Sequence, residues 1–371
     1  MTKNELVIVA LSGGVDSAVT ALLLRDAGYG VQCLHMSNWE DDGYCEAAQD
    51  FQDAREVAEI LDLPLHRVNF ADEYRSQVFA TFLDEYATGR TPNPDVLCNQ
   101  QIKFGAMRRY AERLGGTQLA TGHYARLTPE VDGIHLLKGR DRNKDQSYFL
   151  HAVNAQAFTN VLFPLGELTK QEVRERAETA GLPVATKKDS TGICFIGERP
   201  FAKFLGEYLP VNPGNIKDSS GRILGEHQGL AYYTIGQRQG LKIGGLTDCG
   251  PEPWYVADKI QESNELVVVQ GTNNPLLYKN YLTAADSHWI NSAPANVGGT
   301  IRCRAKTRYR QADQTCAVTI KDSNSLQVCF DEPQRAVTPG QYVVFYQQDH
   351  CLGGAMIQTA TMQTELLSAT D

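Results

Sequence analysis

What these 371 residues lack sets the first limits. No apolar run approaches the ~18–20 residues of a membrane-spanning helix. Met1 to Ala10 has neither the charged start nor the long apolar core of a secretion signal, so the expected location is cytoplasmic. There are nine cysteines, an odd number, and no Cys-x-x-Cys. That argues against a disulfide framework and a zinc ribbon, and for a reducing compartment. No Gly-x-Gly-x-x-Gly and no Gly-Lys-Ser/Thr ending is present, which sets aside the dinucleotide fingerprint and the loop that grips a γ-phosphate with lysine. No tandem repeat or low-complexity tract is visible. An overall basic charge is also missing: Lys and Arg number 35 against 44 Asp and Glu, for a net charge of −9. The deficit is uneven. Residues 275–371 carry eight of each sign, so the acidic excess lies wholly in residues 1–274 and a basic patch in the last third remains open.

What is present is organised around Leu11-Ser12-Gly13-Gly14-Val15-Asp16-Ser17. An apolar run, Glu5 to Leu11, leads in, and a helical pattern, Ala18 to Ala27, leads out. A strand, a glycine turn and a helix point backbone N–H groups and a helix N-terminus at an anion. Gly13 and Gly14 allow close approach, Ser12 and Ser17 add hydroxyl donors, and Asp16 or Ser17 is placed to cap the helix. Strand-like and helix-like patterns then alternate over the first ~200 residues, which implies a parallel sheet with helices on both faces. Strands are expected at Val31–Met36, Leu65–Phe70 and Gln118–Gly122, and helices at Glu46–Leu61, Tyr74–Tyr86, Ile102–Leu114 and Leu168–Gly181, the last capped by Thr169. Ligands in such sheets sit beyond the carboxyl ends of the strands, so the glycine turn, Met36 and Gly122-His123 can share one crevice. From Asn212 the texture becomes short strands with tight turns, among them Ala231–Ile235 and Leu266–Val269, and Leu276–Ile357 suggests a small barrel or sandwich.

Three further features could carry chemistry. Cys98 lies in a proline-stiffened loop before a helix, near Lys103, where a thiolate is stabilised. Cys194 lies in a polar turn after Lys187-Lys188. Thr91-Pro92-Asn93-Pro94-Asp95 offers an amide suited to reading a base edge and a carboxylate suited to moving a proton. In Arg302-Cys303-Arg304-Ala305-Lys306-Thr307-Arg308-Tyr309-Arg310, a strand period of two puts five cations on one face, a pattern that wants spaced phosphates, with Tyr309 available to stack on a base. Each has a plainer reading: a buried cysteine, an Asn/Asp/Pro turn, and a charge-protected edge strand.

SGGVDS resembles the PP-loop of ATP pyrophosphatases. Together with the Thr-Pro-Asn-Pro-Asp…Cys-Asn loop, Ala120-Thr-Gly-His-Tyr124, Lys144-Asp-Gln-Ser-Tyr148, Ser190-Thr-Gly-Ile-Cys-Phe-Ile-Gly-Glu-Arg199, Gly236–Leu241 and Thr307–Arg310, it is similar to the MnmA family of tRNA-specific 2-thiouridylases across the whole chain. The resemblance implies a Rossmann-like PP-loop domain (1–199, adenine nucleotide α-hydrolase-like), a mostly-β central domain (200–272) and a C-terminal β-barrel (273–371). It implies ATP with Mg²⁺ on Ala10, Leu11, Ser12, Gly13, Gly14, Val15, Asp16, Ser17, Met36 and Gly122. The target base would meet Asn93, Pro94 and Asp95. Asp95, Cys98 and Cys194 would be catalytic, Cys194 as a persulfide carrier and the two cysteines as a transient disulfide. His123, Lys144, Asp145, Gln146, Arg308, Tyr309 and Gln341 would contact tRNA, with Gln, Lys and Glu isoacceptors expected. The sulfur would come from a TusE-like relay protein or a cysteine desulfurase. The protein itself is expected to be a monomer that binds no metal of its own. Two other classes compete. A PP-loop ligase transferring nitrogen would need an ammonia route that is not visible, and a non-catalytic RNA-binding protein would not need the intact loop and both cysteines.

Overall fold

The computed structural model describes residues 5–39, 47–189, 200–243 and 250–363. Cys194, with the rest of 190–199, lies outside them.

Strands β1 (Leu6–Ala10), β2 (Gly30–Ser37), β3 (Leu65–Asn69), β4 (Gln118–Ala120) and, after a hairpin described below, β7 (Val161–Leu162) form one parallel sheet in the order β3-β2-β1-β4-β7. Its centre reads as an unbroken apolar run because both faces are covered: Val7, Ile8 and Val9 have no exposed surface. Helices α1 (Val15–Asp26) and α2 (Ala47–Leu61) pack against it, as does the helix Lys170–Thr179. That last helix starts with a capping box. Thr169 Oγ1 accepts from Glu172 N, and Glu172 Oε2 accepts from Thr169 N.

The helix expected from Ile102 starts earlier. Asn93 is its first flanking residue, Pro94 takes the first helical position, and helical structure continues to Arg113. Proline suits that position because its missing N–H has no partner there anyway. Cys98 therefore lies inside the helix rather than in a loop before it. From Cys98 to Met107 the helix is wound with i→i+5 bonds, a π-helical stretch of the kind concentrated at functional sites. A second such stretch, Arg75–Phe79, interrupts the helix Ala71–Ala87.

A hairpin that the sequence did not announce, β5 (Ala125–Glu130) and β6 (Gly133–Lys138), leaves the parallel sheet and joins the C-terminal one. Between them in sequence lies a small four-stranded sheet: β8 (Gly214–Asp218), β9 (Ile223–His227), β10 (Trp254–Ile260) and β11 (Glu265–Gln270), ordered β10-β11-β8-β9. Ala231–Ile235, expected as a strand, begins instead within a 3₁₀ turn, Leu230–Tyr232, entered through Gly229 at φ 141°. The last six strands, β12 (Tyr278–Trp289), β13 (Thr300–Lys306), β14 (Gln314–Ile320), β15 (Leu326–Arg335), β16 (Tyr342–Gln347) and β17 (His350–Thr361), form an antiparallel barrel closed by β12 pairing with β17. Closure removes the open edges. The β5–β6 hairpin continues this sheet beyond β17.

The seam between the first domain and the barrel holds buried charge. Lys138 Nζ bonds the Asp313 carboxylate and lies 4.1 Å from the Tyr346 ring centroid. Lys306 Nζ stands 3.5 Å from Asp145 and 3.7 Å from Asp313. This corrects the basic stripe: β13 ends at Lys306, which is buried, so Arg308 and Arg310 do not continue its face. The period of two was right for Arg302 and Arg304, which are exposed. Where β13 pairs with β16, the same face is covered by Tyr346 and Asp145. Removing one partner of such a network strands the other charge in a poor solvent. Lys138→Met is expected to destabilise the protein by about 3 kcal/mol, seen as a lower Tm. An unchanged Tm would show that Asp313 does not need its lysine.

Candidate functional site

The glycine turn is tied down from several sides. Gly13 has φ +86°, and a Cβ there would collide with the backbone oxygen of Asp50 on α2. Gly122 sits so close to the turn that a Cβ would lie 2.9 Å from both the Asp16 carbonyl carbon and Ser17 N. Gly14, not Asp16 or Ser17, is the residue at the N-cap of α1, and no side chain caps it. The two serines close the turn on itself: Ser17 Oγ accepts from Ser12 N at 3.1 Å and donates to Gly14 O at 3.0 Å. The first N–H groups of a 12-residue helix are thus left to an anion.

Around this turn lie lysines that sequence reasoning missed or left unassigned. Lys187 Nζ donates to Gly13 O (3.1 Å), Asp50 Oδ1 (2.7 Å) and Asp53 Oδ2 (2.5 Å). Burial pulls its pKa down, but the hydrogen bonds and charges of Asp50 and Asp53 outweigh that and raise it. Lys170 Nζ bonds both oxygens of Asp16 (2.7 and 2.8 Å) and Asp189 Oδ1 (2.7 Å). Tyr124 Oη donates to Asp16 Oδ1 at 2.7 Å. Asp189 also takes Lys144 (2.6 Å) and Arg174 (3.0 Å). Burial alone would lift the Asp189 carboxyl, yet Lys144 and Lys170 hold it at about 2. Every described carboxylate at the turn is therefore engaged by a lysine, and every lysine has a carboxylate that a phosphate can replace. That donor set suits a polyphosphate whose metal arrives with it. Asp189 is also the last described residue before the segment that contains Cys194.

A second cluster sits on the helix Pro94–Arg113. Burial raises the Asp95 carboxyl above its ordinary range, and Lys103 only partly opposes this. Cys98 is 6% exposed and lies in the core among Tyr148, Ile102 and Phe104. Asn99 Nδ2 donates to Phe149 O at 3.1 Å, and the Phe149 ring packs 4.5 Å from that of Tyr309, centroid to centroid. Phe104 packs 5.8 Å from the His123 ring, which follows Gly122. The helix of Asp95 and Cys98 is thereby joined to the far wall of the glycine turn. The Oδ1 atoms of Asn93 and Asn99 are buried without a described hydrogen-bond partner, one on each side of Asp95 and Cys98.

Several residues expected to face RNA are turned inward instead. His123 is buried, accepts or donates to Thr121 Oγ1 at 2.7 Å, and is kept neutral by burial and then by Lys103. Asp145 is 4% exposed and accepts from Gly139 N and Ser147 N. Arg308 donates to Ile235 O, Ala336 O and Thr338 Oγ1, joining the central sheet to the barrel. Gln341 Nε2 donates to Thr91 O (2.8 Å) and Pro92 O (3.1 Å), and its Oε1 accepts from Asn93 Nδ2 at 3.4 Å. Gln146 accepts from Tyr124 N at 2.9 Å. Lys144, on Asp189, and Tyr309, against Phe149, are half-buried at the edge of the two clusters. Met36 is half-buried at the carboxyl end of β2, beside His35, whose Nδ1 bonds Leu11 O at 2.9 Å.

Two outcomes follow from this geometry. Gly13→Ala, strained and blocked by Asp50, is expected to weaken ATP binding at least ~10-fold, whereas Gly14→Ala, whose nearest neighbour is Ser12 Oγ at 3.7 Å, should bind nearly as wild type. Equal binding by both variants in calorimetry would remove the turn from the nucleotide site. For Asp95 the folded pKa is raised, so the folded state holds its proton more tightly than the unfolded chain. Stability is lost as pH rises from the ordinary aspartate value, ~3.9, through the folded value. Asp95→Asn is therefore expected to raise Tm at pH 7, with the gain vanishing below about pH 4. A gain that persisted in acid would contradict the assignment.

Comparison with known proteins agrees with this construction. Residues 5–198 match the model described as tRNA methyl transferase HUP domain, 202–270 the tRNA methyl transferase PRC-barrel domain, and 279–357 the aminomethyltransferase beta-barrel domain. The chain is 57% identical over 354 residues to a tRNA-specific 2-thiouridylase MnmA of Methylococcus capsulatus, covering 95% of each chain. It is 54% identical to that of Marinobacter nauticus, covering 98% of this chain and 93% of the other, and 55% identical to that of Nitrosomonas eutropha, covering 96% and 99%. A glycine turn on a parallel sheet, followed by a small sheet and a closed barrel in this order and at this level of identity, places the chain in the tRNA-specific 2-thiouridylase family.

Proposed function

We propose that the protein is an ATP-dependent tRNA sulfurtransferase that replaces O2 of the wobble uridine with sulfur. The observation that carries the reading is the adjacency of the two clusters. A lysine-ringed turn suited to a polyphosphate is linked, through Gly122-His123 and Phe104, to a helix that holds a buried carboxyl, a buried thiol and two amide oxygens without a described partner.

The base leaves its stack and enters between the clusters. Asn93 and Asn99 bring amide oxygens to the space it enters. Asp95, whose raised pKa makes it a stronger base, takes the N3 proton as O2 attacks the α-phosphorus of ATP. Pyrophosphate leaves, and the phosphate charge is met by Lys187, Lys170 and the N-terminus of α1. Mg²⁺ bound to the triphosphate shares in that neutralisation. The terminal sulfur of a Cys194 persulfide, loaded by an external donor, attacks C2, and the C2–O bond breaks to release AMP. The Cys98 thiolate then attacks Cys194 Sγ. The sulfur stays on C2, the two cysteines end as a disulfide, and an external thiol reduces them. Lys144 and Tyr309 stand where the anticodon backbone and bases would pass, with Arg302 and Arg304 of the barrel further along.

The decisive assay combines ATP, a persulfide source and unmodified tRNA, followed by mass analysis of nucleosides. Cys194→Ser and Cys98→Ser are each expected to abolish 2-thiouridine while pyrophosphate release persists. Full thiolation by either variant would contradict the persulfide route. Sustained thiolation by both with no ATP consumed would contradict the function.

A further inference from the structure

A cluster outside the site described above has the chemistry of a metal centre. Glu130 ends β5, His135 lies on β6, and His350 opens β17. One donor atom from each lies within 4.8 Å of the other two, and among the described residues these are the only three His, Cys, Asp or Glu side chains to converge so closely. The two imidazoles face one another, Nδ1 to Nδ1, at 3.5 Å. His350 Nδ1 is 3.9 Å from a Glu130 oxygen. Donors bound tetrahedrally at 2.0–2.1 Å stand about 3.3 Å apart, so the histidine pair is already at metal-ligand spacing and Glu130 has to close by roughly half an ångström. Glu130 is exposed, at the end of its strand.

The proton positions agree. His135 Nε2 lies 2.8 Å from Asp132 Oδ1. That hydrogen bond fixes the His135 proton on Nε2 and leaves the lone pair on Nδ1, the atom 3.5 Å from His350 Nδ1. A carboxylate behind a histidine in this way orients a metal-bound imidazole and makes it a better ligand.

We infer that Glu130, His135 and His350 form a binding site for a transition-metal dication, Zn²⁺ in the first instance, with Asp132 as the orienting carboxylate and water in the fourth position. Two imidazoles and one carboxylate favour Zn²⁺ over Mg²⁺ or Ca²⁺, which take all-oxygen shells. The site spans the junction where the β5–β6 hairpin of the first domain pairs with β17 of the barrel, His350 with Leu137 and Cys351 with Leu136. A bound ion would staple that junction. None of the three ligands belongs to the turn or to the Asp95–Cys98 helix, so the site is separate from sulfur transfer.

Calorimetric titration of the reduced full-length protein with Zn²⁺ tests this, with Co²⁺ as a spectroscopic stand-in. The wild type is expected to take up one more equivalent of Zn²⁺ than His135→Gln/His350→Gln, because ions held by cysteine are common to both. The additional Co²⁺ should show tetrahedral d–d bands without added thiolate charge transfer. Asp132→Asn should weaken the site about 10–100-fold. Should the double variant fail to fold, Glu130→Gln, altered only at an exposed side chain, replaces it and is expected to bind Zn²⁺ more weakly. Equal stoichiometry in the wild type and the double variant, or unchanged affinity in Glu130→Gln, would overturn the assignment.

Discussion

Lys187 bonds the backbone oxygen of Gly13 and two carboxylates of α2 at once. That single ammonium ties the glycine turn, the helix beside it and the segment leading to Cys194 into one unit. The contact depends on Gly13 itself, because only a residue without Cβ lets the turn lie against Asp50. Lys170 does the same on the other side, holding Asp16 and Asp189 together. Both lysines sit in carboxylate pairs that are strong enough to hold the turn open and polar enough to be exchanged for phosphate. An anion site built on them would be preorganised: the charges are already in place, and binding would change their partners rather than their positions.

The other dependence is architectural. The loop leading to Asp95 is held by all three parts of the molecule. Lys259 of β10 donates to Gly89 O, Thr91 N donates to Pro339 O, and Gln341 donates to Thr91 O and Pro92 O. Gly340 comes so near Thr91 that a Cβ there would lie 2.8 Å from its nitrogen. The barrel and central sheet thus set the position of the loop that leads to the Asp95 carboxyl and the Cys98 thiol. The same economy explains why Arg308 and Gln341 face inward. Their hydrogen bonds fix the relation between domains on which the gap between the two clusters depends.

The chemistry was more legible in the sequence than the geometry. The strand, glycine turn and helix could be read because each has a local cause, as could the N-cap at Thr169 and the β-rich second half. The start of the Asp95–Cys98 helix could not. Polar Cys98-Asn99-Gln100-Gln101 masks the helical pattern, and the π-helical winding shifts the apolar spacing away from 3.6. The partners of the turn were illegible for another reason: Lys170 and Lys187 lie 154 and 174 residues from the Asp16 and Gly13 they hold, and nothing local marks them. The basic stripe failed at Lys306 because alternation says which residues share a face, not which end of that face another element will cover.

The central claim is that ATP serves here to make one oxygen leave. It is tested most directly by following that oxygen. With tRNA carrying ¹⁸O at O2 of the wobble uridine, a single turnover with ATP and a persulfide donor is expected to yield AMP holding the label, with none in pyrophosphate or water. Unlabelled AMP alongside 2-thiouridine would contradict attack of O2 on the α-phosphorus, and with it the reason given for the lysine-ringed turn.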